Sequence, residues 1–494
     1  MESAPDSHIP SAEHGKQRAL IDHSLRHPVM FFFTSGAAWL AVSLVLAMIA
    51  TMKAHSPDFL GNCSALNYGR VFPAHLNTLI YGWGLQAAFG VAIWLMARLS
   101  RQESRSSVAI LVAGHVWNVL VALGTICILA GKGSGIYWMD FPEFIWAPML
   151  ATYAAIAIWS MIHFRVRRWQ HIYVSQWFLL GAIIWFPWVF LAANLFVHVF
   201  DIHPLMVTAS AAWFRSALML LFFVPIGVAA AFYLVPKITG RAVYNYSLSQ
   251  VAFWLLAGLA PWAGMQVLMG APIPTFMPFT SAAATIAVVI PVLALTVSLF
   301  KTLKGKAQTV AHSPSLRFTV AGVIGLLSYA IFGAFLARPD MIAITQFTSA
   351  GYGLDIVGLY GFFSLTMFGA IYFIVPRITR REWISRRMIR WHFWLSIYGV
   401  LTLLGCIALF GSISQGVAQQ DWEQPWYSAF MATRPFLIAT SIVWGFMLLS
   451  NVFFLFHLTL MWLRLGRRSN HPTLLTHDHS ATGPHGREGL IDNN

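Results

Sequence analysis

Charge is scarce in this sequence. Of 494 residues only 10% are Asp, Glu, Lys or Arg, against 58% hydrophobic ones and a mean hydropathy of +0.67. A soluble chain carries about a quarter charged residues, so a water-soluble globular fold is excluded. Cysteine is nearly absent too: Cys63, Cys127 and Cys406 stand at no pairing spacing, and there is no C-x-x-C-H. That leaves no thiolate metal site and no c-type heme attachment. Histidine is almost missing from the middle of the chain, where residues 205–376 contain His312 alone.

Long apolar runs are what the chain has in plenty. Twelve candidate membrane-crossing helices cover 29–53, 71–99, 107–130, 142–164, 172–200, 205–235, 245–270, 278–303, 316–338, 343–376, 388–415 and 430–465. Each is long enough for a hydrocarbon core of about 30 Å at about 1.5 Å per residue. The expected fold class is therefore all-α, a polytopic membrane protein built as a twelve-helix transmembrane bundle. The formal charge of +14 does not indicate a nucleic-acid partner, because the basic residues cluster in the short segments between spans. Loops after the even-numbered spans hold 18 Lys and Arg, and those after the odd-numbered spans hold 5. With positive residues inside, both termini lie in the cytoplasm. The organisation expected is a cytoplasmic segment 1–28, a bundle 29–465, and a disordered tail 466–494 whose His471, His477, His479 and His485 need bind nothing specific. The first apolar run has no small-residue cleavage site and reads as an uncleaved span rather than a signal peptide.

Two patterns stand out. "LNYGRVFPAHLNTLIYGWG" (66–84) puts His75 just inside span two. A histidine there is either a proton group or heme ligand, or an interface residue bonded to a neighbouring carbonyl. Spans six and ten end alike, in "FYLVPKITGR" and "YFIVPRITRR", which suggests a weak internal repeat or two helices placed alike.

The G-R-x-x-P-x-H entry to span two resembles subunit I of the heme–copper oxidases, in particular the C-family, cbb-type cytochrome c oxidase. So do "HIYVSQWFLL", the two V-P-K/R segments, "WAG" at 262–264, "RWHFWLSIYG" and "QGVAQQ". The resemblance covers roughly residues 30–460. It implies a low-spin heme b between histidines of spans two and ten, a high-spin heme on a second span-ten histidine, and a copper ion on one histidine of span six and two of span seven.

The sequence departs from that pattern. Aligned on the shared V-P ends, the span-six copper position falls on Ser216, beside Arg215. The span-seven pair falls on Gln266 and Val267, and the span-ten heme ligands fall on Leu354 and Ile356, with Asp355 between them. Copper needs nitrogen or sulfur donors, and heme iron needs an axial donor. The expectation is that copper and the high-spin heme are absent and that no cofactor is bound, with one heme b at His75 as the residual alternative.

A mid-membrane charge costs several kcal/mol unless partnered. Arg215 and Asp355 are therefore expected to form a buried ion pair, with Gln266 or Ser216 completing its hydrogen bonds. His115, His392 and His457 are expected to be structural, and Asp140, Glu143, Asp421 and Glu423 to lie at the outer surface. Some of the 21 Trp and 38 Phe are expected to fill space left by hemes. The leading reading is a non-catalytic paralogue of oxidase subunit I in a bacterial-type inner membrane. Its partners would be the lipid bilayer and other respiratory subunits, including a cytochrome c-type one. The alternatives are an active terminal oxidase or nitric oxide reductase-like enzyme, and a transporter or sensor using the Arg215–Asp355 site.

Overall fold

The computed structural model describes residues 11–104, 107–167 and 172–468. The four tail histidines, residues 1–10 and the rest of 469–494 lie outside the described residues. Twelve helices among them are long and apolar enough to cross a membrane: α1 (Gln17–His55), α2 (Tyr68–Ser100), α3 (Ser107–Leu129), α4 (Glu143–Arg165), α5 (Val174–Val199), α6 (Pro204–Thr239), α7 (Tyr246–Leu268), α8 (Phe276–Thr302), α9 (Pro314–Leu336), α10 (Ala350–Thr379), α11 (Arg386–Ala418) and α12 (Pro425–Trp462). No strand occurs among the described residues beyond one isolated bridge, Arg381–Arg468.

Helix α1 starts earlier than the expected residue 29, since its helical backbone runs from Ser11 with Pro28 inside it. The extension is held because Ile21, Leu25 and Val29 share one face at helical spacing and are buried. On the same stretch Asp22 pairs with Arg98 of α2 at 3.2 Å and accepts a bond of 3.0 Å from Trp94 Nε1.

Three helices are central. The most apolar stretches of α2, α6 and α10 are 100%, 94% and 100% buried, against 28–56% for the other nine. Hydropathy cannot make that distinction, because a lipid-facing and a core-facing surface are equally apolar. All three central helices are interrupted by a π-helical turn, at Thr78–Gly84, Met219–Phe223 and Val357–Ser364. Such wide turns concentrate at functional sites.

The echoed ends of α6 and α10 fold alike. Each terminates at a residue with positive φ, Gly240 and Arg380, whose N–H bonds back to the carbonyl of Pro236 or Pro376. The equivalent side chains Tyr233 and Phe373 lie edge-on to Trp94, at 5.4 and 6.1 Å. The echo therefore places two helices alike around α2.

Helices α9 and α10 approach through glycine. A Cβ at Gly325 would lie 2.0 Å from the Gly361 carbonyl oxygen, and one at Gly322 would lie 2.2 Å from Thr366 Oγ1. Close backbone approach of this kind is the usual route to strong van der Waals packing in lipid. Gly325→Ala should therefore cost about 2 kcal/mol or more and lower the melting temperature in detergent. Gly258→Ala, where a Cβ would meet nothing within 4 Å, should leave it unchanged or raise it slightly.

Candidate functional site

Arg215 stands on α6 one turn before its wide turn, and Asp355 stands on α10 just before the wide turn there. Their side chains meet between the central helices, with Arg215 Nε 3.0 Å from Asp355 Oδ1 and the two side chains 17% and 5% exposed. The second oxygen, Oδ2, accepts bonds from Tyr137 Oη at 2.8 Å and Trp138 Nε1 at 3.1 Å. The guanidinium also faces the Tyr137 ring, 5.9 Å from its centroid.

Tyr137 and Trp138 come from the α3–α4 loop, which reaches inward because Gly131, Gly135 and Trp138 all adopt positive φ. The Tyr81 hydroxyl fixes the loop by donating to the Trp138 carbonyl at 2.9 Å. Burial first, and then the adjacent Asp355 carboxylate, push the Tyr137 phenol well above its ordinary range, so it stays a donor.

The partners expected for this pair are corrected. Gln266 does not reach it, because its Oε1 accepts from the Gly264 N–H at 2.8 Å and from Ser281 Oγ at 2.9 Å. Helix α7 breaks here into short 3-10 turns, with Gly264 at φ 110°. The freed backbone donors need local acceptors in a medium without water, and Gln266 and Ser281 supply them. Ser216 packs against the same break, where a Cβ at Gly264 would lie 2.8 Å from its Oγ. The loop residues Tyr137 and Trp138 do what was expected of Gln266 and Ser216. No spacing in the sequence marks them.

Val267 is 38% exposed, Ile356 lies in the main core, and Leu354 packs with Phe332 and Ala408. His75 is fully buried. Its Nδ1 contacts Ser43 Oγ and the Ser43 carbonyl, both at 2.9 Å, and its Nε2 contacts the Tyr352 hydroxyl at 3.0 Å. Among the described residues no group of three or more His, Cys, Asp or Glu is close enough to hold a metal ion.

His457, His392 and His115 have structural partners. His457 Nε2 accepts from the Ile384 and Ser385 N–H groups at the start of α11, and His392 Nδ1 contacts Tyr372 Oη at 2.8 Å. His115 packs edge-on to Phe31 at 4.2 Å. Asp140 is not a solvated surface acid: it is 4% exposed and accepts from Asn77 Nδ2 at 2.7 Å.

The comparisons place this twelve-helix membrane bundle with oxidase subunit I. The profile of the family described as cytochrome C and quinol oxidase polypeptide I matches residues 27–466, and the chain belongs to that family. A cytochrome c oxidase subunit 1 homolog of Azorhizobium caulinodans is 24% identical over 400 residues, 77% of this chain and 70% of the relative. The cytochrome c oxidase subunit 1 of Rhodobacter capsulatus is 25% identical over 78% of this chain and 74% of its own. The cbb3-type cytochrome c oxidase subunit CcoN1 of Stutzerimonas stutzeri is 25% identical over 71% of this chain and 75% of its own. The fold matches a cryo-EM structure of a heme-copper terminal oxidase dimer, with TM-score 0.72 and 12% identity over 94% of this chain and 89% of that one. The protein is thus a multi-pass bacterial membrane protein like subunit I of the cytochrome c oxidases, in a family that binds heme and copper and works with other subunits.

Two outcomes follow from the geometry. Asp355→Asn leaves the Arg215 guanidinium without its counter-charge and should cost about 3–5 kcal/mol. Replacing both, Arg215→Met with Asp355→Leu, should recover part of that loss but not all, since Tyr137 and Trp138 lose their acceptor. Thermal melting in detergent reads both.

Burial pushes the Asp140 carboxyl up from 3.8 to about 6, a rise limited by the Asn77 bond. Its folded value lies above its unfolded one. Its stabilising contribution is therefore full below the unfolded value and lost as pH rises through about 6. Asp140→Asn should remove that dependence and raise stability near pH 8, by at most about 3 kcal/mol at about 1.4 kcal/mol per pKa unit.

Proposed function

We propose that this chain is a catalytically degenerate member of the family, a scaffold or interaction subunit in a bacterial respiratory membrane complex, with both termini cytoplasmic and without the copper site and the high-spin heme. The observation that carries the reading is the state of His75, the one histidine left among the expected ligand positions. Both its ring nitrogens are engaged, and Nε2 in particular faces the Tyr352 hydroxyl at 3.0 Å.

The other donors do not fit the metals either. Leu354, Ile356 and Val267 carry no donor atom, and Gln266 serves its own broken helix. Aromatic side chains pack closely between parts of the central helices. Phe223 lies 4.8 Å from Phe363, Trp83 lies 5.2 Å from Phe368, and a Cβ at Gly227 would stand 2.4 Å from Phe362. An active cytochrome c oxidase or nitric oxide reductase-like enzyme would need replacement nitrogen or sulfur donors in α6–α10, where His312 is the sole histidine and Cys is absent.

The full-length protein, purified in detergent, should give a reduced-minus-oxidised spectrum without heme b bands, and iron and copper far below one equivalent. Stoichiometric heme that disappears in His75→Ala would overturn the reading and restore a redox role.

A further inference from the structure

The end of the bundle where α6 and α10 finish is rich in cations and short of acids. Residues 202–339 contain no Asp or Glu, yet Arg241, Lys301, Lys304, Lys306 and Arg317 stand in or beside the connections at this end. Arg317 lies on the first turn of α9, half-buried, with its guanidinium over the Phe393 ring of α11, 5.4 Å from the centroid. Its Nε is buried and has no hydrogen-bond partner. The charged group that acts on it is Arg390, exposed one turn before Phe393 on the same face of α11.

Two guanidinia thus flank one phenylalanine, and no carboxylate joins them. Arg215 has Asp355 and Arg98 has Asp22, but neither Arg317 nor Arg390 forms an ion pair among the described residues. Glu382, the acid nearest in sequence, lies against the end of α12 instead. Its N–H bonds the Arg467 carbonyl, and a Cβ at Gly466 would lie 2.3 Å from its carbonyl oxygen. Two like charges held together in this way are stabilised by an anion.

The surface beneath them selects the anion. On α11, Trp391, Trp394 and Tyr398 form an exposed stripe, with Trp394 and Tyr398 stacked at 5.5 Å. On α9, Ile324 and Ile331 continue the face of Arg317 at seven-residue spacing and are exposed too. The two helices lie side by side, with Phe318 edge-on to Phe393 at 5.0 Å. An anion at the arginines therefore sits above two apolar stripes, which is the layout of a phospholipid: phosphate at the head and acyl chains below. Arginine forks match phosphate oxygens. A zwitterionic headgroup would bring an ammonium towards cations already in excess, and an anionic one brings none.

We propose that Arg317 and Arg390 bind the phosphate of an anionic phospholipid, of the phosphatidylglycerol or cardiolipin kind, whose acyl chains lie along α9 and α11. The site uses neither Arg215 nor any expected heme or copper position, and stands whether or not the chain has lost its hemes.

The test offers delipidated full-length protein in detergent equal amounts of phosphatidylglycerol and phosphatidylcholine, and counts retained lipid by native mass spectrometry. Phosphatidylglycerol should be retained about tenfold over phosphatidylcholine. Arg317→Gln with Arg390→Gln should remove that preference. Lys301→Gln with Lys306→Gln, which takes the same charge from the same end, should keep it. The double arginine variant should melt no lower than wild type without lipid, but lose the rise in melting temperature that phosphatidylglycerol gives wild type. Should it fail to melt cooperatively, Arg390→Gln alone, at an exposed residue, should still lose most of the preference.

Equal retention of the two lipids overturns the proposal. So does a preference that survives loss of both arginines, or one that falls equally with the two lysines, which would be diffuse attraction to a basic surface. Displacement of phosphatidylglycerol by an equal concentration of inorganic phosphate would assign the arginines to a soluble anion, and also overturns it.

Discussion

An ion pair inside hydrocarbon governs the middle of this protein. Arg215 and Asp355 are the charged pair between the central helices, and each would cost several kcal/mol alone. Their 3.0 Å contact offsets that only because the remaining polar atoms are also accommodated. Asp355 Oδ2 has two donors from the α3–α4 loop, and the outer edge of the guanidinium borders a cavity. The inward bend of that loop, the burial of Tyr137 and the glycine at 351 all serve one requirement.

Much of the architecture was legible in the sequence because a bilayer reduces structure to length and polarity. Twelve spans follow from twelve apolar runs, and the echo around Val235-Pro236 and Val375-Pro376 marked two helices with matching ends. What escaped was of another kind. Centrality of α2, α6 and α10 is invisible to hydropathy, since lipid and core are equally apolar. The start of α1 escaped because its inner turns are anchored by Asp22 to Arg98 and Trp94 across seventy residues, a contact that no local pattern announces.

At the candidate site, spacing identified Arg215 and Asp355 as charges needing partners, but it chose the wrong helpers. Gln266 looked available because span seven was read as an unbroken helix. Once α7 breaks at Gly264, its own backbone donors take the nearest acceptor, and a side chain two residues away wins over one on another helix. Asp140 was misjudged in the same way. A loop acid reads as solvated unless one knows that Asn77 points at it from α2. In both cases tertiary context reassigned a polar group that composition had placed correctly in sequence but not in space.

The wide turns in α2, α6 and α10 are held by packing between the central helices and their neighbours. Each is braced by protein contacts alone: Gly82 against Trp39, Gly84 against Phe223 on α6, and Gly358 against Met219 and Tyr329, with added Cβ atoms falling within 2.7–3.0 Å of their neighbours. Ser364, beside the α10 turn, closes it by bonding the Leu359 carbonyl at 2.7 Å and receives Trp83 Nε1 at 2.7 Å. Side-chain contacts thus brace the backbone at the centre on every side of these turns. The same centre holds its one charge pair, Arg215 with Asp355, beside the Phe223–Phe363 and Trp83–Phe368 contacts.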